Sequence, residues 1–102
     1  MSDDEKSDRI RIDKWLWHAR FYKTRVLAHE AADKGRIRVN GIRVEKAGRG
    51  IRVGDVLTLP TGREVLAVRV VAFGERRGPA PQARTLYEIV AEGGLDPRVT
   101  PP

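Results

Sequence analysis

Cysteine is absent from the 102-residue chain, which removes disulfide staples, thiolate metal sites and thiol nucleophiles. Histidine is scarce. His18 and His29 are the only two, and they lack the partners and spacing of a zinc site. No apolar run approaches the roughly 18–20 residues of a membrane span, so no membrane partner is expected. The acidic opening, Met1 to Asp8, does not read as a signal peptide, and the expected compartment is the cytoplasm. A chain of 102 residues allows one domain, with a core too thin to enclose a substrate cavity. At 40% apolar residues it is nevertheless too hydrophobic for full disorder.

Acid is missing where base is concentrated. The formal net charge is +6, unevenly spread. Residues 1–8 carry four acids and one Lys, a net of −3. Residues 9–52 carry 13 basic and four acidic side chains, a net of +9, and residues 53–102 balance six of each. A stretch of uncompensated Lys and Arg is the footprint of a polyanion partner, because neutralised phosphates release their counterions. A solvated basic face without a partner is the plain alternative; it leaves the clustering unexplained.

Periodicity divides the chain. Residues 1–8 read as a disordered acidic N-terminus. Arg9 to Ile12 alternate basic and apolar residues and suit an extended entry segment. Asp13 stands where an N-cap would, ahead of a short helix over 14–20 whose Ile12, Leu16 and Ala19 share a face. Phe21 to Lys23 form a connector. Thr24 is a second N-cap, followed by a helix from Arg25 to about Lys34 with an apolar stripe of Leu27, Ala28, Ala31 and Ala32 facing the sheet. Gly35 ends that helix as a C′ residue.

After Gly35 the period becomes two. Ile37, Val39, Ile42 and Val44 are expected on the apolar face, and Asn40-Gly41 supplies a type I′ hairpin turn. Residues 46–50 form a basic loop, and Val53-Gly54-Asp55 turns into a strand over 56–59. Another strand runs from Glu64 to about Phe73. Residues 74–84 read as a mobile Gly/Pro/Arg loop, 85–90 as a closing strand, and 91–102 as a disordered Gly/Pro tail. The fold class is α+β, two short helices and a hairpin on a small, mostly antiparallel sheet of about five strands.

Enzymatic chemistry finds little support. Asp13 and Asp55 are explained as a cap and a turn residue, and no Ser-His-Asp set or paired carboxylates stand out. Gly48-Arg49-Gly50 lacks the Gly-Lys-Ser/Thr ending of a phosphate loop. Neither an enzyme nor a cofactor or metal is expected. The basic residues are another matter. Lys14, Arg20, Lys23 and Arg25 come from the helical corner, and Arg36, Arg38 and Arg43 from the hairpin. The N-terminus of the second helix offers unpaired N–H groups to a phosphate, with Thr24 either capping it or also reaching the anion. Trp15, Trp17, Phe21 and Tyr22 lie among these charges, as core or as platforms for unpaired bases. Phe21 is the strongest stacking candidate. A DNA-reading helix is a poor alternative, because residues 25–34 turn small Ala residues inward and carry Glu30 and Asp33.

The run Arg11 to Trp17, the segment Ala19 to Arg25 with Ala28, then Gly35-Arg36, Val39-Asn40-Gly41 and Val53-Gly54-Asp55 resemble the S4 RNA-binding domain. The Lys-Trp-Leu-Trp and Ala-Arg-Phe-Tyr-Lys-Thr-Arg runs, with Arg76-Arg77-Gly78-Pro79-Ala80 and Leu86-Tyr87-Glu88, are similar to the ribosome-associated heat-shock protein 15 family. The resemblance covers about residues 9–90. It implies an αL motif (two helices and a hairpin) that grips structured RNA, in a non-enzymatic monomer that binds rRNA, or peptidyl-tRNA, on the large ribosomal subunit and helps recycle stalled subunits after stress. The implied RNA surface is Arg11, Lys14, Arg20, Phe21, Lys23, Thr24, Arg25, Arg36, Arg38, Asn40 and Lys46. A job in ribosome assembly or general RNA binding is the alternative within the same superfamily. Relatives can carry a long basic helical extension after the last strand, whereas this chain shows a short Gly/Pro tail.

Overall fold

A computed structural model describes residues 8–61 and 64–91; the expectations for residues 1–7 and 92–102 lie outside them. The first strand, β1 (Ile10–Arg11), leads into helix α1 (Ile12–His18), and α2 covers Arg25–Asp33. Strands β2 (Arg38–Val39), β3 (Ile42–Arg43), β4 (Gly50–Ile51), β5 (Val56–Thr61) and β6 (Glu64–Val70) follow. A single-turn helix α3 (Ala80–Ala83), a 3-10 turn (Arg84–Leu86) and β7 (Tyr87–Ala91) complete the described chain. The five-stranded sheet has the order β3-β2-β5-β6-β7, and every pairing is antiparallel. Strands β1 and β4 form a separate antiparallel pair. The α+β expectation therefore holds, with one two-stranded ribbon added.

Both helices stop in the same way. Gly35 at φ +73° follows α2, and the Arg36 and Gly35 N–H groups donate back to the Ala31 and Ala32 carbonyls at 3.1 Å each. After α1 the left-handed residue is Arg20, at φ +67°, with Phe21 and Arg20 N–H donating to Leu16 and Trp17 carbonyls at 3.0 Å. This double bond pattern satisfies carbonyls the helix would leave open. A non-glycine residue there costs roughly 1–2 kcal/mol. The expected helix over 14–20 thus begins and ends earlier, at 12–18. Arg11, not Asp13, is its N-cap residue, and no side chain caps that end.

Thr24 does cap α2, its Oγ1 accepting the Leu27 N–H at 3.1 Å. Ala28, Ala31 and Ala32 are buried and pack this helix against α1. Leu27 is 44% exposed and Val26 66%, which corrects the expected stripe. A helix lying against another helix through Ala side chains buries positions i, i+3 and i+4; Leu27 is rotated about 100° off that face.

Beneath the helices, Ile12, Trp15 and Leu16 meet Ile37, Val39, Val44, Leu57, Leu59, Val68 and Val70 in one core. Asn40 and Gly41 have φ of +52° and +85°, as the type I′ turn requires. Ile42 opposes buried Val39 but is itself 69% exposed, because β3 is an edge strand. Strand β6 ends at Val70, short of Phe73. The segment expected as a mobile loop, 74–84, contains α3 and runs into the 3-10 turn; together with the residues just before it, it is fastened to α1. Trp15 Nε1–H donates to the Ala72 carbonyl at 2.8 Å, and Arg77 Nε–H to the Trp17 carbonyl at 3.1 Å.

Candidate nucleic-acid interface

The candidate interface is built around one buried acid. Asp13, with 2% of its side chain exposed, sits in the first turn of α1. Arg11 Nε and Nη2 donate to its two oxygens at 3.1 and 3.0 Å, a two-pronged charge-assisted contact. From α2, Arg25 Nη2 lies 3.6 Å from Oδ1 and His29 Nδ1 3.2 Å from Oδ2. His29 Nε2 in turn lies 3.0 Å from Asp33 Oδ2, while Asp33 Oδ1 accepts the Ala47 N–H at 2.8 Å. The chain of contacts therefore runs from β1 through both helices to the basic loop before β4.

Burial alone would push the Asp13 carboxyl up. Hydrogen bonds from Arg11 and His29, with the charges of Arg11 and Arg25, outweigh it and hold the carboxyl below the usual carboxylate range. The Arg11 guanidinium is correspondingly pushed up by its hydrogen bond to and charge attraction for Asp13. Arg11 and Arg25 remain 50% and 43% exposed, so both still face solvent after pairing with Asp13.

Arg11 and Lys46 line one open cleft of ≈ 780 Å³, together with His29, Asp33, Arg43 and Arg49. Across β2 and β3, Arg38 stands directly opposite Arg43. Like charges at such a position repel, and Arg38 Nη1–H is turned to the Gly41 carbonyl at 3.4 Å. The Arg43 side chain extends back over Gly35, where an added Cβ would meet its Cδ at 3.0 Å. Arg36 lies near Tyr22, whose hydroxyl is pushed up by burial and drawn partly back by that guanidinium.

The other expected contact residues divide. Lys23, Thr24 and Arg25 are exposed at the start of α2, and Lys14 is half-buried. Arg20 Nη1–H donates to the Gly78 carbonyl at 2.9 Å, so this side chain clamps the 74–86 segment. Phe21 is half-buried, with its ring centroid 4.7 Å from Tyr87 and 6.1 Å from Trp15. Asn40 Nδ2 donates to Asp55 at 3.1 Å, and its Oδ1 accepts the Val56 N–H at 3.0 Å. That amide joins the hairpin turn to β5. Asp13, His29, Asp33 and Arg49 belong to this network and cleft but are not among the residues the sequence singles out for the site. The one available signal was Asp13 itself, a lone acid inside a basic run beside an apolar helix face.

The comparisons agree with this architecture. A family model for the S4 domain matches residues 10–57, which places the helical corner and hairpin in the class of S4-domain proteins. Heat shock protein 15 of Escherichia coli (strain K12) is 46% identical over 83 residues, 81% of this chain and 62% of that one. The RQC P-site tRNA stabilizing factor of Streptococcus pneumoniae is 36% identical over 90 residues, 88% of this chain and 100% of that one. A solved structure of Vibrio cholerae heat shock protein 15, described as trimeric, superposes with a TM-score of 0.77 at 37% identity, covering 81% of this chain and 83% of that one. The chain belongs to the heat shock protein 15 family of S4-domain proteins. It spans 62% of the length of the Escherichia coli relative. Among the described residues, no helix is long and apolar enough to cross a membrane.

Proposed function

We propose that this protein is a non-catalytic RNA-binding factor that docks on rRNA, with peptidyl-tRNA, at the large ribosomal subunit and helps rescue stalled subunits after stress. The observation that carries this reading is the Asp13 hub, which holds two exposed guanidiniums from different elements, Arg11 and Arg25, on one face. Such an array grips phosphates at fixed spacing and reads RNA shape more than sequence. Two relatives add support through their names, one a heat shock protein and one a factor stabilising P-site tRNA.

The contact set is Arg11, Lys14, Arg20, Lys23, Thr24, Arg25, Arg36, Arg38 and Lys46, extended by Arg43 and Arg49 along the cleft. Phe21 and Asn40 act mainly by supporting these residues. The proposed surface lies on one copy, and the proposal is of a cytoplasmic monomer that binds without a cofactor. A sucrose gradient of lysate from heat-stressed cells tests the reading. The protein is expected with free large subunits; sedimentation with small subunits only, or at the top of the gradient, overturns it.

A further inference from the structure

The S4 match ends at residue 57, and the segment between β6 and β7 lies beyond it. That segment carries Arg76, Arg77 and Arg84 against the single acid Glu75. It is tied down before any ligand arrives. Besides the bonds from Trp15 and Arg77, His18 Nδ1 lies 3.2 Å from the Phe73 carbonyl, and Arg20 holds the Gly78 carbonyl. A segment ordered by folding does not have to be ordered again on binding.

Between this segment and the end of α1 is a cleft of ≈ 310 Å³, lined by His18, Glu75, Arg76, Gln82 and Thr85 among others. That volume is at the lower end of the range for small-ligand sites, roughly 300–1,000 Å³. His18 is 1% exposed. Because a carbonyl can only accept, the contact to Phe73 places the hydrogen on Nδ1. In that tautomer Nε2 is an acceptor, with no hydrogen-bond partner among the described residues. No fully enclosed side-chain N or O atom there lacks a partner, so Nε2 is reached from the cleft. An oriented acceptor open to a polar cleft can take a donor from a ligand seated there.

We propose that this cleft takes one unpaired nucleotide of the bound RNA, with a base or ribose donor on His18 Nε2 and the phosphate on Arg76. The inference rests on the RNA-binding reading above and extends it beyond the S4 module. The site borders that module directly: His18 is in α1, and Arg20 bridges the helix end to Gly78. Arg77 adds positive charge nearby, its guanidinium 5.9 Å from the Trp17 ring centroid.

The test is an NMR titration of the isotope-labelled full chain with each nucleoside 5′-monophosphate and each free nucleoside. At least one monophosphate is expected to shift the His18 imidazole signals and the amides of residues 74–86 saturably. Arg76→Ala, an exposed substitution, is expected to weaken that monophosphate at least fivefold and leave the matching nucleoside unchanged. No saturable response at His18, or one confined to Arg11, Arg25 and Lys46, overturns the inference and leaves the cleft to ordered water. If the same wild-type protein still sediments with large subunits, the RNA-binding reading survives that failure. Loss of both responses removes the two together.

Discussion

His29 of α2 and Asp13 of α1, sixteen positions apart, meet at 3.2 Å, and this contact, with those of Arg11 and Arg25, makes the helix pair a single charged unit. Helix α2 buries only Ala28, Ala31 and Ala32, so a polar tie to α1 contributes proportionally more to its placement. The tie also explains how a domain with surplus positive charge keeps its arginines in fixed positions.

Asp13→Asn keeps the shape and removes the charge. Hydrogen bonds to charged groups contribute about 1.5–3 kcal/mol, and a loss of that size is expected in urea unfolding. RNA affinity should fall more than stability alone explains, because Arg11 and Arg25 are no longer held together. Unchanged affinity in a folded Asp13→Asn variant would show that the hub serves stability only.

The sign of the pH dependence follows from the same site. The folded carboxyl of Asp13 titrates below its unfolded value of about 3.9. Its stabilisation is therefore fully present above about pH 4 to 5 and is lost as pH falls through the lower folded value. The stability difference between wild type and Asp13→Asn is expected to be constant near neutrality and to shrink below about pH 4. Chemical unfolding of both proteins between pH 7 and pH 2.5 measures it.

Arg25→Ala removes a side chain that is 43% exposed, and a partly exposed ion pair contributes at most about 1 kcal/mol to folding. RNA binding should weaken several-fold while the fold persists. With about five phosphate contacts, the logarithm of the binding constant should fall with the logarithm of salt at a slope of about −3 to −5, and Arg25→Ala should reduce that slope by about 1. Arg69→Ala, on β6 where Arg69 pairs with Glu88, is the control and is expected to change neither quantity. A flat salt profile would point to a protein partner.

Thr24→Ala deletes the side-chain acceptor for Leu27 N–H. Loss of such a cap costs about 1 kcal/mol, within a range of about 0.5–2, read as a lower thermal midpoint. A much larger fall in RNA affinity than in stability would assign the hydroxyl a phosphate contact as well.

Gly35→Ala places a Cβ at φ +73° and 3.0 Å from Arg43 Cδ. Backbone strain of about 1–2 kcal/mol is expected, with displacement of Arg43 from the cleft. Asn at this position, which tolerates the left-handed region better, should recover part of the stability but not the Arg43 position.

Local rules made much of this protein legible. Thr24, Gly35 and Asn40-Gly41 each meet a backbone requirement few residues satisfy, so the start of α2, its end and the hairpin turn can be read directly. The change of period after Gly35 separates helices from strands, and the placement of charge locates the basic half. An acid at the start of a helix has a local explanation, capping, which hides the role of Asp13; Arg11 is two positions away, but its other partners, Arg25 and His29, lie 12 and 16 residues away. Leu27 was misread because a periodic stripe does not say whether a sheet or a second helix will cover it.

Composition, turn chemistry and charge placement by themselves determined an α+β domain with a basic helical corner and hairpin, because each depends on neighbours in sequence. Tertiary structure decided which arginines share a face and what holds them there, which aromatic rings are occupied in the core, and that residues 74–86 close over His18 instead of moving freely. Those outcomes depend on contacts between side chains distant in sequence, in the case of Arg20 and Gly78 separated by 58 positions, and no local pattern encodes them.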